Sequence, residues 1–162
     1  MKTKALLDFC EAVDATALSQ AIQAAKWVVP LVQTIHILAI AALLSSVLMI
    51  NLRLLGANSR DQTLARVCAR FRPVVWWSLP VLLVSGLILI IGEPARSLTN
   101  PFFQLKMGLL ITVLIVTVLS QRPLNRDTAF WDDRVAMGRA VAILSLVLWS
   151  GIVFAGRWIA YL

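Results

Sequence analysis

The sequence predicts an all-α integral membrane protein, a four-helix bundle with amphipathic helices on the membrane surface. The first observation is composition: 60% of the 162 residues are hydrophobic, the mean hydropathy is +0.85, and only 14% of the residues are charged. Soluble domains are about half apolar and about a quarter charged. The second is length, because four apolar segments approach the roughly 20 residues that cross a hydrocarbon core about 30 Å thick. Together these exclude a disordered chain, a secreted disulfide scaffold and an ordinary soluble enzyme.

The four predicted spans account for most of the chain. They run from about Trp27 to Ile50, from about Val74 to Ile91, from about Phe102 to Leu119, and from about Ala140 to the C-terminus. Each must be helical, because the bilayer offers no water to the backbone polar groups. Pro30 falls in a first turn, where its missing N–H costs little, whereas Pro80 inside the second span predicts a kink.

Residues 1–26 predict an amphipathic surface region that precedes the bundle of residues 27–162. Acidic residues interrupt the apolar run that a signal peptide would need, and the apolar residues fit one face of a helix on the outer surface: Leu6, Leu7, Phe9, Cys10 and Val13. Ser59 and Gln62 form a capping-box pattern, followed by apolar residues at helical spacing. A second surface helix is therefore predicted after Ser59.

The positions of Lys and Arg predict the orientation of the chain. The loops between spans one and two and between spans three and four hold nine of them: Arg53, Arg60, Arg66, Arg70, Arg72, Arg122, Arg126, Arg134 and Arg139. The other side holds four: Lys2, Lys4, Lys26 and Arg96. The positive-inside rule then places both termini in the periplasm of a multi-pass protein of the bacterial inner membrane. Because the basic residues lie between apolar runs, they indicate a lipid bilayer as partner and no nucleic acid.

His36, the only histidine, is the residue that most needs an explanation. An ionisable side chain inside a span is by default a functional hypothesis. His36 lies nine residues beyond Trp27, about 13 Å below the outer interface at 1.5 Å per residue. Its imidazole could ligate haem iron or another transition metal, or carry a proton. The alternative is a neutral buried histidine that is hydrogen-bonded to Ser85, Ser150 or a backbone carbonyl.

Small and basic residues are predicted to lie near His36. Gly86 and Gly151 each follow a serine near mid-membrane, where they would let either a flat ligand ring or a second helix approach. Lys106 and Arg157 lie near the outer ends of spans three and four, where they would pair with an anionic ligand or snorkel to the headgroups. Trp149 is a mid-membrane indole whose N–H needs a partner.

Several stretches resemble an uncharacterised family of small four-helix bacterial membrane proteins: residues 27–30, 33–38, 51–56 and 100–106. That family commonly shows a span-one histidine and an Asp-Leu-Arg-Leu-like exit from the span, where this chain has Asn51. More distantly, His36 and Lys106 are similar to an arrangement in the copper-resistance protein D group and in HemJ-type protoporphyrinogen oxidases. The resemblance to HemJ-type enzymes implies that b-type haem binds and that both residues matter.

These features lead to three hypotheses about function. The sharpest is a small membrane protein that binds b-type haem or a porphyrin. His36 would be the axial ligand, Gly86 and Gly151 would admit the ring, and Lys106 and Arg157 would pair with propionates. A homo-oligomer could supply a second His36 across a two-fold axis. The second hypothesis is an accessory subunit of a larger membrane complex without chemistry of its own. The third, copper or proton handling with His36 as the metal ligand, is ranked last because the spans hold no buried carboxylate.

Overall fold

The computed structural model describes residues 2–56, 64–126 and 134–158, and every regular element in these ranges is a helix. The helices are α1 (Lys2–Asp14), α2 (Ala17–Ala24), α3 (Val28–Leu55), α4 (Leu64–Gly92), α5 (Pro94–Leu98), α6 (Pro101–Arg126) and α7 (Val135–Trp158). The prediction of an all-α protein is confirmed.

Four of these helices are long and apolar enough to cross a membrane: α3, α4, α6 as far as Leu119, and α7. They coincide with the four predicted spans, so the chain is a multi-pass membrane protein. α3 continues beyond its predicted end to Leu55, where Gly56 stops it at a φ of 79°. Glycine adopts this left-handed conformation without a Cβ clash, and its N–H satisfies carbonyls of the last turn.

The predicted surface helix after Ser59 is corrected by the structure. α4 begins at Leu64 and runs without a break through the second span, with Leu64 and Val67 buried. Pro73 lies inside this helix. It removes one backbone hydrogen bond, which is too little to end a helix whose other bonds continue into the membrane. Ser59 and Gln62 lie outside the described residues.

The bundle is packed more tightly at one end than at the other. We call the end where α3 begins the outer end and the end where it stops the inner end, following the predicted orientation. Close contacts run in the order α4–α3–α7–α6, and one apolar core joins all four helices: Leu43, Val47, Val75, Val113, Trp149 and Ile152. No residue of 28–42 in α3 or of 101–112 in α6 is buried. The core therefore lies toward the inner end, and the outer half is packed more loosely, with Ser85 and Gly92 of α4 among its buried positions.

A buried polar contact fixes α3 against α7. Asn51 Nδ2 donates a hydrogen bond to Ser145 Oγ at 3.0 Å, and both side chains are buried. In a bilayer, such contacts between helices replace hydrogen bonds that water cannot supply. This contact sets the level of each residue of α7 relative to α3.

The first two helices pack on the outer end of α4. Ser19 Oγ donates to the Ile91 carbonyl at 2.7 Å, and Gln23 Nε2 donates to the Gly92 carbonyl at 3.2 Å. These side chains satisfy carbonyls that the end of a helix leaves without a partner. Cys10 of α1 is buried, whereas Phe9 is exposed on the other side of the helix.

Candidate functional site

His36 lies in the third turn of α3, where it faces α4. Its Nδ1 is 2.8 Å from Ser85 Oγ. The hydroxyl hydrogen of Ser85 is directed to the Val81 carbonyl, one turn earlier in α4. A hydroxyl has only one hydrogen, so Ser85 Oγ must accept the hydrogen bond from His36. This assigns the proton of the neutral imidazole to Nδ1 and the lone pair to Nε2.

The Nε2 atom of His36 has no hydrogen-bond partner within the described part of the chain. The ring itself is half-buried in the outer half of the bundle. A neutral imidazole whose Nδ1–H is held by a second group is the form that ligates a transition metal. The same atom could accept a proton. The arrangement therefore has a free basic nitrogen held in a fixed orientation at membrane depth.

Gly86 makes room for this imidazole. A Cβ placed on Gly86 would lie 3.5 Å from His36 Cε1, in ordinary van der Waals contact, and a longer side chain would meet the ring. The sequence predicted Gly86 beside a flat ligand. The structure places the imidazole itself there, so the absence of a side chain lets α3 and α4 pack closely around His36.

Lys106 lies in the second turn of α6 and crosses the face of α7 at Gly156. A Cβ on Gly156 would lie 3.9 Å from Lys106 Nζ and 4.0 Å from its Cδ and Cε. Lys106 makes no hydrogen bond or ion pair with any residue that the structure describes. A cationic group at this depth is costly unless an anion or a headgroup compensates it.

Gly156 was not among the predicted site residues. The signal for it in the sequence is the pair of small residues that it forms with Ala155, directly before Arg157. Arg157 itself is exposed at the outer end of α7. Small residues at a helix contact let the neighbouring helix and its side chains approach. Gly156 therefore belongs with Lys106 in the candidate site.

Gly151 is not brought next to His36. Along the axis of α7, Gly151 lies six residues, or about 9 Å, outward of Ser145. Along the axis of α3, His36 lies fifteen residues, or about 22 Å, outward of Asn51. Since Asn51 and Ser145 are in contact, Gly151 lies about 13 Å deeper than His36. A Cβ on Gly151 would lie 3.4 Å from Leu109 Cδ1. Its position therefore serves the packing of α6 on α7.

Residues 20–162 match the model of a family that is described as "Family of unknown function (DUF6644)". The chain belongs to this family. The match begins in α2 and includes all four spanning helices, so both His36 and Lys106 lie within it. No curated protein and no solved structure matches the chain. The comparisons thus confirm the resemblance to an uncharacterised family and give no support to the similarity with copper-resistance protein D or HemJ-type enzymes.

The donor set of this DUF6644 member limits the kind of metal group that it could hold. Within the described residues, no group of three or more His, Cys, Asp or Glu side chains could bind a metal ion. Cys10 and Cys68 are free thiols near opposite ends of α4. A metal at His36 would therefore need most of its ligands from elsewhere, as a porphyrin supplies them.

Trp149 carries another polar group without a partner among the described residues. Its side chain is 6% exposed, in the apolar core toward the inner end, and Nε1 has no hydrogen-bond acceptor within the described structure. The sequence predicted that this indole needs a partner. A buried donor without an acceptor costs about 1–3 kcal/mol. Trp149 belongs to the core and lies well below the level of His36.

Proposed function

We propose that this protein binds b-type haem or a porphyrin in the outer half of the bundle, with His36 Nε2 as an axial ligand. The observation that supports this most directly is the hydrogen bond from Nδ1–H to Ser85 Oγ. Nδ1 is then hydrogen-bonded to α4, and Nε2 keeps a lone pair that can bind iron. Neutral imidazole in this form is the usual axial ligand of b-type haem. Haem would supply redox or ligand-binding chemistry at its iron.

The charge of Lys106 supports the same proposal. Haem carries two propionates, and a lysine ammonium in apolar surroundings pairs strongly with a carboxylate. Lys106 has no anionic partner among the described residues. It would hold one propionate, and Arg157 at the outer end of α7 would hold the other. Gly86 would keep the imidazole in place, and Gly151 has no role in this proposal.

The experiment is an absorption spectrum of protein purified from haem-replete cells. We expect a Soret band in the wild type and its loss in His36→Ala. The matched control is Ile37→Ala, which removes an exposed side chain from the next position of α3 and should leave the band unchanged. The absence of a Soret band in the wild type, or an unchanged band in His36→Ala, would refute the proposal.

The ratio of haem to protein tests the oligomeric form of the site. The chain has one histidine, so a bis-histidine haem requires a second copy related by a two-fold axis. That form predicts one haem for two chains and a low-spin spectrum. One haem per chain with a five-coordinate spectrum would instead assign a site built by a single copy.

A second candidate function is an accessory subunit of a larger membrane complex without its own chemistry. The observation that favours it is again the bond to Ser85, because that bond already gives His36 a structural partner. This reading predicts that His36→Gln and Lys106→Met leave complex assembly and any associated activity intact. Normal assembly with a lost activity would contradict it. Copper or proton handling ranks last, since a single imidazole makes a poor relay.

The proposed location is the bacterial inner membrane with both termini in the periplasm. The basis is the excess of Lys and Arg in the two predicted inner loops. Fusions of alkaline phosphatase, which is active only in the periplasm, test this orientation. We expect high activity for a fusion after Leu162 and low activity for one after Gly56. The reverse pattern would contradict the orientation.

A further inference from the structure

The inner end of α4 extends beyond the length that the hydrocarbon core can contain. The helix has 29 residues, which makes it about 43 Å long, whereas the hydrocarbon core is about 30 Å thick. Residues 74–92 alone measure about 28 Å. Residues 64–73 therefore reach into the headgroup region at the inner end. Leu64 and Val67 are buried there, so this extension is packed against the rest of the protein.

One exposed face of α4 carries two arginines in this extension. Arg66 and Arg70 are one turn apart, and Trp77 lies on the same face two turns further along the helix. All three side chains are exposed, whereas the buried Val67 and Val75 lie on another face. Trp77 is 76% exposed, and exposed tryptophans are typical of the membrane–water interface. Arg70 and Arg66 lie about 10 and 16 Å from Trp77 along the axis, toward the inner end, which places them at the level of the lipid headgroups.

The charge of the inner end is most unbalanced on the side of α3 and α4. Between residues 51 and 73 the sequence holds five arginines and one carboxylate, Asp61, whereas between residues 120 and 139 it holds four arginines and three carboxylates. The carboxylate side chains of the described residues all lie at the outer end: Asp8, Glu11, Asp14 and Glu93. The inner end of α4 is therefore complementary in charge to an anion at the membrane surface.

We propose that Arg66 and Arg70 bind the phosphate of an anionic phospholipid. A guanidinium presents its N–H groups in a fork that matches two phosphate oxygens. Two such groups one helical turn apart, about 6 Å along the axis, can share one headgroup. A lipid with a net negative charge is favoured over a zwitterionic one, because the excess of arginines attracts anionic headgroups and repels a choline group.

Phe71 restrains one of the two guanidiniums. The guanidinium carbon of Arg70 lies over the ring of Phe71, 5.7 Å from the ring centroid. A cation at this distance is attracted to the face of an aromatic ring, and Phe71 is itself half-buried. The site lies at the opposite end of the bundle from His36, so it stands whether or not a porphyrin binds there. A bound headgroup would fix the depth of α4 in the bilayer.

The test is native mass spectrometry of the purified protein, titrated in detergent with phosphatidylglycerol or with phosphatidylcholine of the same acyl chains. We expect the wild type to bind phosphatidylglycerol more tightly than phosphatidylcholine. Arg66→Gln and Arg70→Gln should each weaken the binding of phosphatidylglycerol about five-fold and leave that of phosphatidylcholine unchanged. Arg70→Lys keeps the charge and should lose less affinity than Arg70→Gln. Higher ionic strength should reduce the preference, because salt screens exposed charges.

The matched control is Arg139→Gln, which removes an exposed arginine near the inner end of α7 and should leave the affinity for phosphatidylglycerol unchanged. The midpoint of thermal unfolding in detergent should be the same for Arg70→Gln and the wild type, since this side chain is exposed. Equal affinities of the wild type for the two lipids overturn the proposal. Equal losses in Arg70→Gln and Arg139→Gln also overturn it, because they would show a diffuse attraction between charge and lipid without a site on α4.

Discussion

Replacing Ser85 by alanine removes the group that orients His36. Ser85 is 4% exposed and accepts the hydrogen bond from His36 Nδ1 at 2.8 Å. A typical hydrogen bond contributes about 1 kcal/mol to stability, and those between membrane helices about 0.6 kcal/mol on average and up to about 1.7 kcal/mol. We therefore expect Ser85→Ala to lower the free energy of unfolding by about 1 kcal/mol, roughly a five-fold change in the unfolding equilibrium.

The assay is reversible unfolding in mixed micelles, analysed as a double-mutant cycle of Ser85→Ala with His36→Ala. The predicted coupling between the two substitutions is about 0.6–1.7 kcal/mol. Ser85→Thr keeps the hydroxyl and should restore most of the stability. Ser78→Ala, at another buried serine of α4, is the control and should show no coupling to His36. Additive effects of Ser85→Ala and His36→Ala would refute the assignment of this bond.

Three further substitutions test the packing and charge of the site. Gly86→Val should push the imidazole away and destabilise the protein by about 1–3 kcal/mol in the same unfolding assay. Gly108→Val is the control and should be nearly neutral, because a Cβ at that position meets nothing within 4 Å. Equal effects of the two substitutions would contradict the contact between Gly86 and His36. Asn51→Leu should cost about 1 kcal/mol through loss of the bond to Ser145, and an unchanged midpoint would argue against that bond. Lys106→Met should raise the stability of the ligand-free protein, because it removes a charge that no described residue compensates. The same substitution should weaken the retention of haem. Lower stability of the ligand-free variant would contradict this interpretation of Lys106.

The architecture could be predicted because it depends on local properties of the sequence. An apolar stretch of about 20 residues must be helical in a bilayer whatever its neighbours are, so all four spans were found from composition and length. The break before the second span was predicted wrongly. The capping-box pattern of Ser59 and Gln62 suggested a separate surface helix, but the backbone continues from Leu64 through Pro73 into the second span.

The candidate site could be predicted only in part, because contacts between helices set it. His36 and Lys106 were found as polar residues in apolar spans, and the structure places each at a helix contact, His36 with Ser85 and Lys106 with Gly156. The level of Gly151 depends on the contact between Asn51 and Ser145, which are 94 residues apart in the chain. No periodicity within one helix encodes such a register.

The candidate site lies in the half of the bundle that is packed more loosely. The core around Leu43 and Trp149 holds the inner half together, so the outer half can be packed more loosely without loss of the fold. Polar residues toward the inner end, such as Asn51, are used in packing between helices. His36 and Lys106 both lie in the outer half.

The most direct test of the central claim is the protonation state of the two ring nitrogens of His36. Because the chain has a single histidine, ¹⁵N-histidine labelling with a histidine-free purification tag reports on this residue alone. Solid-state NMR of the ligand-free protein in lipid at neutral pH should show Nδ1 protonated and Nε2 unprotonated. A spectrum with Nε2 protonated, or with the proton shared equally between the two nitrogens, would contradict the account.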